Sequence, residues 1–310
     1  MTLLSRSAHG VYAIVPTPFE PDGEVDLDSL GRLIDFYQAR GVDGLTVLGQ
    51  MGEAPRLTEL ESAEIIRYVI RQTDLPVVVG VSAPGFGSMR TLANEAMSRG
   101  AAGVMVAPPA TLRTDDQIVG YYMQAAEMLG SDVPIVLQDY PLTFSVVMSV
   151  PVLCRIARDV PSVVMLKHED WPGLEKISAL REAEANGEIP RLSILCGNGG
   201  LFLDFEQRRG ADGAMTGYCF PELLVDVVRL GRQKNFAEMH DVFDAHLPLI
   251  RYEQQPGTGL AVRKYVLQRR GLLATDVQRA PGRSLGAAER VEIDLLLERL
   301  ARRDRRAHLL

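Results

Sequence analysis

Short apolar runs alternate with amphipathic stretches along most of this 310-residue chain. Each run is about five residues long, and several are rich in Val, Ile or Leu, which is typical of parallel strands buried on both faces. The runs lie at residues 11–15, 44–48, 77–81, 103–107, 135–138, 163–167, 193–197 and 213–216. We therefore predict eight strands.

Helical patterns follow these runs, at residues 27–40, 58–72, 88–99, 114–129, 150–158, 174–185, 201–209 and 221–230. Thr58 with Glu61 forms a capping box, and Ser88 and Thr114 suit helix N-caps. Eight strand–helix units in register predict an α/β fold, a (β/α)8 TIM barrel. The alternative, an open doubly wound sheet, usually has fewer strands, and no dinucleotide-binding fingerprint follows the first run.

After about Leu230 the strand-like runs end, and helical patterns remain at residues 235–251, 259–270 and 287–303. We predict a catalytic barrel over residues 1–230 and a C-terminal three-helix region over residues 231–310. A helical extension on a barrel often packs on the barrel or on another subunit, so we expect an oligomer. His240 and His246, in the first of these helices, are expected at the surface or at an interface.

Composition narrows the possible partners and the cellular compartment. The net charge is −7, so there is no reason to expect nucleic acid or an anionic membrane as a partner. The first ten residues lack the long apolar core of a signal peptide, and no apolar segment is long enough to span a bilayer. We expect a cytoplasmic protein. Cys154, Cys196 and Cys219 are too scattered for a disulfide framework or a zinc site, so we expect them reduced and buried, with no metal bound.

Lys167 ends the sixth apolar run and is the first candidate for chemistry. Lysine is almost never fully buried without a partner or a function. Desolvation favours the neutral amine, which is nucleophilic and forms a Schiff base with a ketone. The alternative is a strand-end lysine that reaches into solvent. Because active sites of (β/α)8 barrels lie at the carboxyl ends of the strands, the residues that follow each run are the candidate site.

These strand ends resemble the dihydrodipicolinate synthase and N-acetylneuraminate lyase family of Schiff-base aldolases and lyases. The resemblance is carried by Pro16-Thr17-Pro18-Phe19, by the Gly-x-x-Gly-Glu loop (Gly49, Gly52, Glu53), by the strand ending in Lys167, and by Gly197-Asn198. It implies that Lys167 forms an imine with a small-molecule 2-oxo acid, and that the imine serves as electron sink, so that no cofactor is needed. It also implies a homotetramer.

The same resemblance implies a carboxylate-binding loop, in which backbone N–H groups around Gly49, Gln50 and Met51 hold the substrate anion. Family members usually have two hydroxyl residues between the glycines of this loop. This chain has Gln50 and Met51, so the backbone donors remain and the hydroxyl contacts are lost.

The chain departs from the family pattern at three further positions. Gln138 stands in place of the usual catalytic tyrosine, Ala110 in place of a second tyrosine of the proton relay, and Thr143 in place of a frequent arginine. These changes argue against a dihydrodipicolinate synthase or a typical neuraminate lyase. The proton shuttle must come from elsewhere.

Glu169 is the predicted acid/base, because strand alternation places it on the same face as Lys167, two residues earlier. The alternative is an ion pair at a strand end. Gln138 and Tyr140 also share a face. We predict that Gln138 donates a hydrogen bond to the substrate and that Tyr140 offers a hydroxyl. His168 should point the other way, towards the helices.

Residues at the ends of the seventh and eighth runs complete the predicted site. Gly197, Asn198 and Thr216 are expected to bind the substrate, the last two through its hydroxyls. Within the family, the Gln-Asp-Tyr-Pro and Lys-His-Glu patterns look like those of sugar-acid dehydratases that convert L-2-keto-3-deoxyarabonate to 2,5-dioxopentanoate. The resemblance thus implies a lyase, a hydro-lyase that acts through a lysine Schiff base.

Three other functions stay open. An aldolase that releases pyruvate from a 2-keto-3-deoxy sugar acid would use the same imine. A phosphosugar enzyme would use the glycine-rich segments 197–200 and 213–217 as a phosphate site. A catalytically inactive protein would bind 2-oxo acids without turning over any sugar acid.

Overall fold

The computed structural model describes residues 2–308 and contains a closed barrel of eight parallel strands. Each strand pairs with the next in the chain, and the eighth pairs with the first. The predicted (β/α)8 barrel is therefore confirmed. The strands are β1 Gly10–Ile14, β2 Gly44–Val47, β3 Val77–Gly80, β4 Gly103–Val106, β5 Ile135–Asp139, β6 Val163–His168, β7 Ser193–Cys196 and β8 Gly213–Ala214.

Helices surround the barrel, and further helices form the C-terminal part of the chain. They are α1 Leu27–Ala39, α2 Glu59–Gln72, α3 Phe86–Ser98, α4 Asp115–Leu129, α5 Pro141–Phe144, α6 Val150–Asp159, α7 Leu174–Ala185, α8 Leu203–Arg208, α9 Pro221–Arg232, α10 Phe236–Glu253, α11 Gly259–Arg269 and α12 Ala287–Ala301. No helix within residues 2–308 is both long enough and apolar enough to cross a membrane.

The helix N-termini follow the predicted capping with one exception. Thr58 and Thr114 each accept a backbone N–H, from Glu61 and Gln117, in complete capping boxes. The predicted cap at Ser88 is wrong. Helix α3 begins two residues earlier, after Gly85, which provides no side-chain cap. The structure also contains α5, a single helical turn that the sequence patterns did not indicate.

The barrel has two apolar layers that follow the twofold period of the strands. Alternate residues fill the interior, among them Ile14, Val78, Met105, Val136, Met165, Leu195 and Met215. Their neighbours along each strand pack outwards against the helices. Lys167 lies two residues beyond Met165 on the same face of the strand, so it is one residue layer closer to the carboxyl end of the barrel than this apolar interior.

The C-terminal helices are joined to the barrel by buried ion pairs. Lys264 on α11 lies 2.5 Å from Glu53, with both side chains fully buried. Arg270 lies 2.5 Å from Glu222 on α9. The division at residue 230 stays a prediction, and these contacts join residues 231–308 to the barrel.

The structure places His246 in the interior of the chain, neither at the surface nor at an interface, so that prediction is wrong. Its ring is 1% exposed, and its two nitrogens contact the Tyr218 hydroxyl at 2.9 Å and the Asp304 carboxylate at 3.0 Å. His240 is partly exposed and lies 2.7 Å from Asp204. Helix α10 thus turns one histidine inwards, because both ring nitrogens find partners there.

Candidate active site

Strands β5 and β6 bring Gln138 and Lys167 side by side at the carboxyl end of the barrel. The two residues are direct partners in the register of the strands. Gln138 is 2% exposed and Lys167 is 6% exposed. The strand-end lysine therefore does not reach into bulk solvent, and a polar amide is available beside it.

Glu169 follows β6 directly, and its carboxylate joins the other two residues. Its Oε2 lies 3.2 Å from Lys167 Nζ and accepts a hydrogen bond of 2.7 Å from Gln138 Nε2. Both charged side chains are more than nine-tenths buried. The predicted neighbourhood of amine and carboxylate is thus present in the geometry, and one carboxylate oxygen is within proton-transfer distance of the amine. Gln138, which we expected to donate to the substrate, donates to Glu169 in this structure.

Gly197 and Asn198, after β7, hold Glu169 in place. A Cβ atom at residue 197 would collide with Cγ, Cδ and Oε1 of Glu169, so the glycine makes room for that side chain. Asn198 Nδ2 donates a hydrogen bond of 2.9 Å to the Glu169 carbonyl oxygen. These contacts position Glu169, and substrate binding by the two residues stays a prediction.

Tyr140 and Thr216 lie at other strand ends of the same mouth. Tyr140 is half-buried and packs edge-to-face on Phe144, with ring centroids 6.2 Å apart. Burial raises the pKa of the Tyr140 hydroxyl, and the nearby Thr143 hydroxyl opposes the rise. Thr216 is buried just beyond β8, where its carbonyl oxygen accepts a hydrogen bond from the Ile14 amide. Neither residue contacts the Lys167–Glu169–Gln138 cluster through a described hydrogen bond.

The loop after β2 contains the other predicted binding residues. Gly49 is buried, Gln50 is exposed and Met51 is partly buried, and a short 3₁₀ turn runs from Gln50 to Gly52. Glu53 closes this turn with a left-handed backbone, φ 55°.

Comparison with known proteins agrees with this geometry. Residues 7–300 match the model of the dihydrodipicolinate synthetase family. The chain belongs to this family. It is 30% identical over 307 residues to L-2-keto-3-deoxyarabonate dehydratase of Azospirillum brasilense, and the aligned region covers 97% of each chain. It is 29% identical to 4-hydroxy-tetrahydrodipicolinate synthase of Chlorobium luteolum, over 95% of this chain and 98% of that one.

A solved structure of a family member is closely similar. The crystal structure of dihydrodipicolinate synthase from Rhodopseudomonas palustris superposes with a TM-score of 0.95, at 58% identity, and covers 96% of this chain and 100% of the other. Family membership supports a Schiff-base lyase that acts on a small 2-oxo acid.

Glu53 of the family's Gly-x-x-Gly-Glu loop has a structural function in this chain. Its carboxylate is fully buried and accepts hydrogen bonds from Lys264 Nζ at 2.5 Å, from Arg56 at 2.7 Å and from the Arg279 amide at 3.1 Å. The ammonium of Lys264 also lies 4.5 Å from the centre of the Phe19 ring. Glu53 therefore ties the loop to the C-terminal region and fixes its shape.

A second polar cluster lies on the outer side of the barrel, between β5, β6 and α7. Lys176 Nζ contacts Asp139 Oδ2 at 2.8 Å and Asp170 Oδ2 at 2.5 Å. His168 is buried on the same side, which confirms its predicted direction. Burial raises the pKa of Asp139 to about 6, and burial together with the Lys176 charge lowers the pKa of His168 to about 4. Lys176 was not predicted as a partner of Asp139, because the two residues are 37 apart in the chain and no local pattern connects them.

Arg263 on α11 is a second residue near the mouth of the barrel that was not predicted from the sequence. Its side chain is 4% exposed and lies next to Met51 and Gly217, at the ends of β2 and β8. No local pattern on α11 distinguishes this arginine from a surface residue. Within residues 2–308, no cluster of three or more His, Cys, Asp or Glu side chains is arranged to hold a metal ion.

Proposed function

We propose that this protein is a hydro-lyase that dehydrates L-2-keto-3-deoxyarabonate to 2,5-dioxopentanoate through a Schiff base on Lys167. The main support for this proposal is the Glu169 carboxylate, which contacts both Lys167 and Gln138 in a site that is largely shielded from solvent. Gln138 and Ala110 stand where the family has its two relay tyrosines, so the carboxylate is the nearest group to the amine that can move a proton. The similarity to the dehydratase of A. brasilense supports the same reaction.

The chemistry follows from these residues in four steps. Lys167 adds to the C2 ketone and loses water, which gives an iminium that acidifies the C3 protons. Glu169 removes one C3 proton, and an enamine forms. The enamine expels the C4 hydroxyl, which leaves as water with the proton that Glu169 returns. Tautomerisation then converts C5 to an aldehyde, and hydrolysis of the imine releases the product and the free amine.

Gln138 supports Glu169 in this scheme rather than replacing the tyrosine as an acid. An amide does not transfer protons near neutral pH, but its N–H fixes the carboxylate oxygen that faces the amine. We propose that the backbone N–H groups at Gln50 and Met51 bind the substrate carboxylate. Asn198, Thr216 and Tyr140 then form hydrogen bonds with the hydroxyl groups of the substrate.

One experiment tests the function and its main rival. Purified enzyme is incubated with L-2-keto-3-deoxyarabonate, and the products are separated by mass spectrometry. We expect 2,5-dioxopentanoate. Pyruvate in its place would show that the same imine supports an aldolase and would overturn the dehydratase proposal. Borohydride reduction in the presence of pyruvate, followed by peptide mapping, should place the adduct on Lys167.

A second candidate is the synthase activity, because the R. palustris protein that is 58% identical is named a dihydrodipicolinate synthase. Thr143 and Gln138, in place of the usual arginine and tyrosine, argue against it. An assay for 4-hydroxy-tetrahydrodipicolinate formation decides between the two. We also propose a homotetramer, which light scattering on the purified protein tests; a monomer or dimer mass would contradict it.

A further inference from the structure

Arg263 presents one unsatisfied end of its guanidinium to the barrel mouth. Its Nε and Nη2 donate to Glu253 Oε2 at 3.1 and 3.0 Å, and both side chains of this ion pair are buried. Its Nη1 contacts the sulfur of Met51. Among residues 2–308, Nη1 donates to no oxygen atom.

This arrangement leaves a strong donor without a strong acceptor. A guanidinium carries five N–H donors, whereas a thioether sulfur is a weak acceptor. A buried charged donor without a partner is costly, so a site of this kind favours a ligand that supplies an oxygen. Met51 has three rotatable bonds and can move aside for that ligand.

The position of Nη1 indicates which part of a ligand it meets. A Cβ atom at Gly217 would lie 3.2 Å from Nη1 and 3.1 Å from the Met51 sulfur, so a glycine after β8 leaves space for both groups. The positive charge of Arg263 also opposes the rise in the pKa of the Tyr140 hydroxyl, just after β5. The guanidinium therefore faces the mouth of the barrel, beside the loop after β2.

We infer that Arg263 Nη1 donates a hydrogen bond to the carboxylate of the 2-oxo acid and replaces the hydroxyl contact that Met51 cannot make. This inference rests on the proposed Schiff-base function. An anion is the best acceptor for a guanidinium, since charge-assisted hydrogen bonds are about twice as strong as neutral ones. Glu253 acts as a positioning residue, because its two contacts fix the plane of the guanidinium.

The test compares variants that leave no unpaired buried charge. Arg263→Met combined with Glu253→Gln removes both charges of the ion pair, because removal of one alone destabilises the fold. The matched control is Arg270→Met with Glu222→Gln, another buried arginine–glutamate pair joined at 2.5 Å, which does not contact the loop after β2. Borohydride trapping with pyruvate gives the half-saturating concentration for each protein.

We expect the Arg263/Glu253 variant to need about 10- to 100-fold more pyruvate than the wild type, which corresponds to one lost hydrogen bond between charged groups. With methyl pyruvate, which carries no carboxylate, wild type and variant should differ by less than about threefold. Arg263→Lys should recover part of the pyruvate affinity. Adding Met51→Thr to the Arg263/Glu253 variant should lower the half-saturating concentration, because a hydroxyl returns to the loop.

The outcomes separate this inference from the proposed function. If the control pair raises the half-saturating concentration as much, or if pyruvate and methyl pyruvate are affected equally, Arg263 has only a structural effect and the inference is wrong. A wild-type protein that traps pyruvate normally would leave the proposed function intact in that case. A wild-type protein that gives no adduct at all would overturn both.

Discussion

A buried lysine–carboxylate pair lies on each face of strands β5 and β6, and the two pairs differ in position. On the inner face, Lys167 and Glu169 form an ion pair of 3.2 Å at the barrel mouth. On the outer face, Asp139 of β5 forms one of 2.8 Å with Lys176 of α7. Both pairs are buried, so burial and charge alone do not mark a catalytic lysine. The difference is position, since the inner pair lies at the carboxyl end of the barrel, where active sites of this fold are built, and the outer pair is covered by α7.

The largest expected effect separates the two lysines directly. Lys167→Ala should abolish the borohydride adduct and lower kcat by about 10⁴-fold or more, because the covalent step is lost. Lys176→Met should keep the adduct, as measured by intact-protein mass spectrometry after reduction. If Lys167→Ala still trapped pyruvate, the inner pair would not be the catalytic one.

Glu169→Gln should lower kcat by about 10²- to 10⁴-fold, the range for loss of a general base. The adduct should still form, because the amine remains, so trapping and turnover become uncoupled. Steady-state kinetics with L-2-keto-3-deoxyarabonate measures the first effect and mass spectrometry the second. If turnover were unchanged, Glu169 would have only a structural role, as one half of an ion pair at a strand end.

The outer pair should matter to stability more than to chemistry. Lys176→Met leaves the buried Asp139 carboxyl uncompensated and should lower the free energy of unfolding by about 3 kcal/mol. Combining Lys176→Met with Asp139→Asn removes both charges and should recover much of this loss. Urea unfolding measures both proteins. A large fall in kcat at full stability would show that the outer pair also serves the reaction.

The smallest effect is a pH dependence of stability from the outer cluster. Folded His168 has a pKa of about 4 and unfolded histidine one of 6.5, so the unfolded state binds more protons between these values, and this contribution to stability rises with pH. Folded Asp139 has a pKa of about 6 against 3.8 when unfolded, so its contribution falls as pH rises from 4 to 6.

These two slopes oppose each other in the wild type. Asp139→Asn removes the falling contribution, so the stability of this variant relative to the wild type should rise by about 1–2 kcal/mol between pH 4.5 and 6. His168→Gln should show the opposite trend. Urea unfolding at both pH values checks the signs, and identical slopes for both variants would contradict the assignment.

The inner cluster was predictable because it depends on local geometry. Lys167 and Glu169 are two residues apart, and alternation along one strand puts them on one face. The contact between Gln138 and Glu169 was not predicted, although strand pairing places Gln138 beside Lys167. The capping boxes at Thr58 and Thr114 are equally local. The cap at Ser88 failed because a glycine can precede a helix without a side-chain bond.

The sequence by itself thus determined the barrel, the order of its strands and the directions in which Lys167, Glu169 and His168 point. These features depend on the periodicity of apolar and polar residues along the chain. Tertiary structure alone decided which charges become buried together. Glu53 and Lys264 are 211 residues apart in the chain, and Arg263 and Met51 are 212 apart. His246 is interior because two distant residues satisfy its ring. Such contacts depend on how helices pack on the barrel, and no short-range pattern in the chain encodes them.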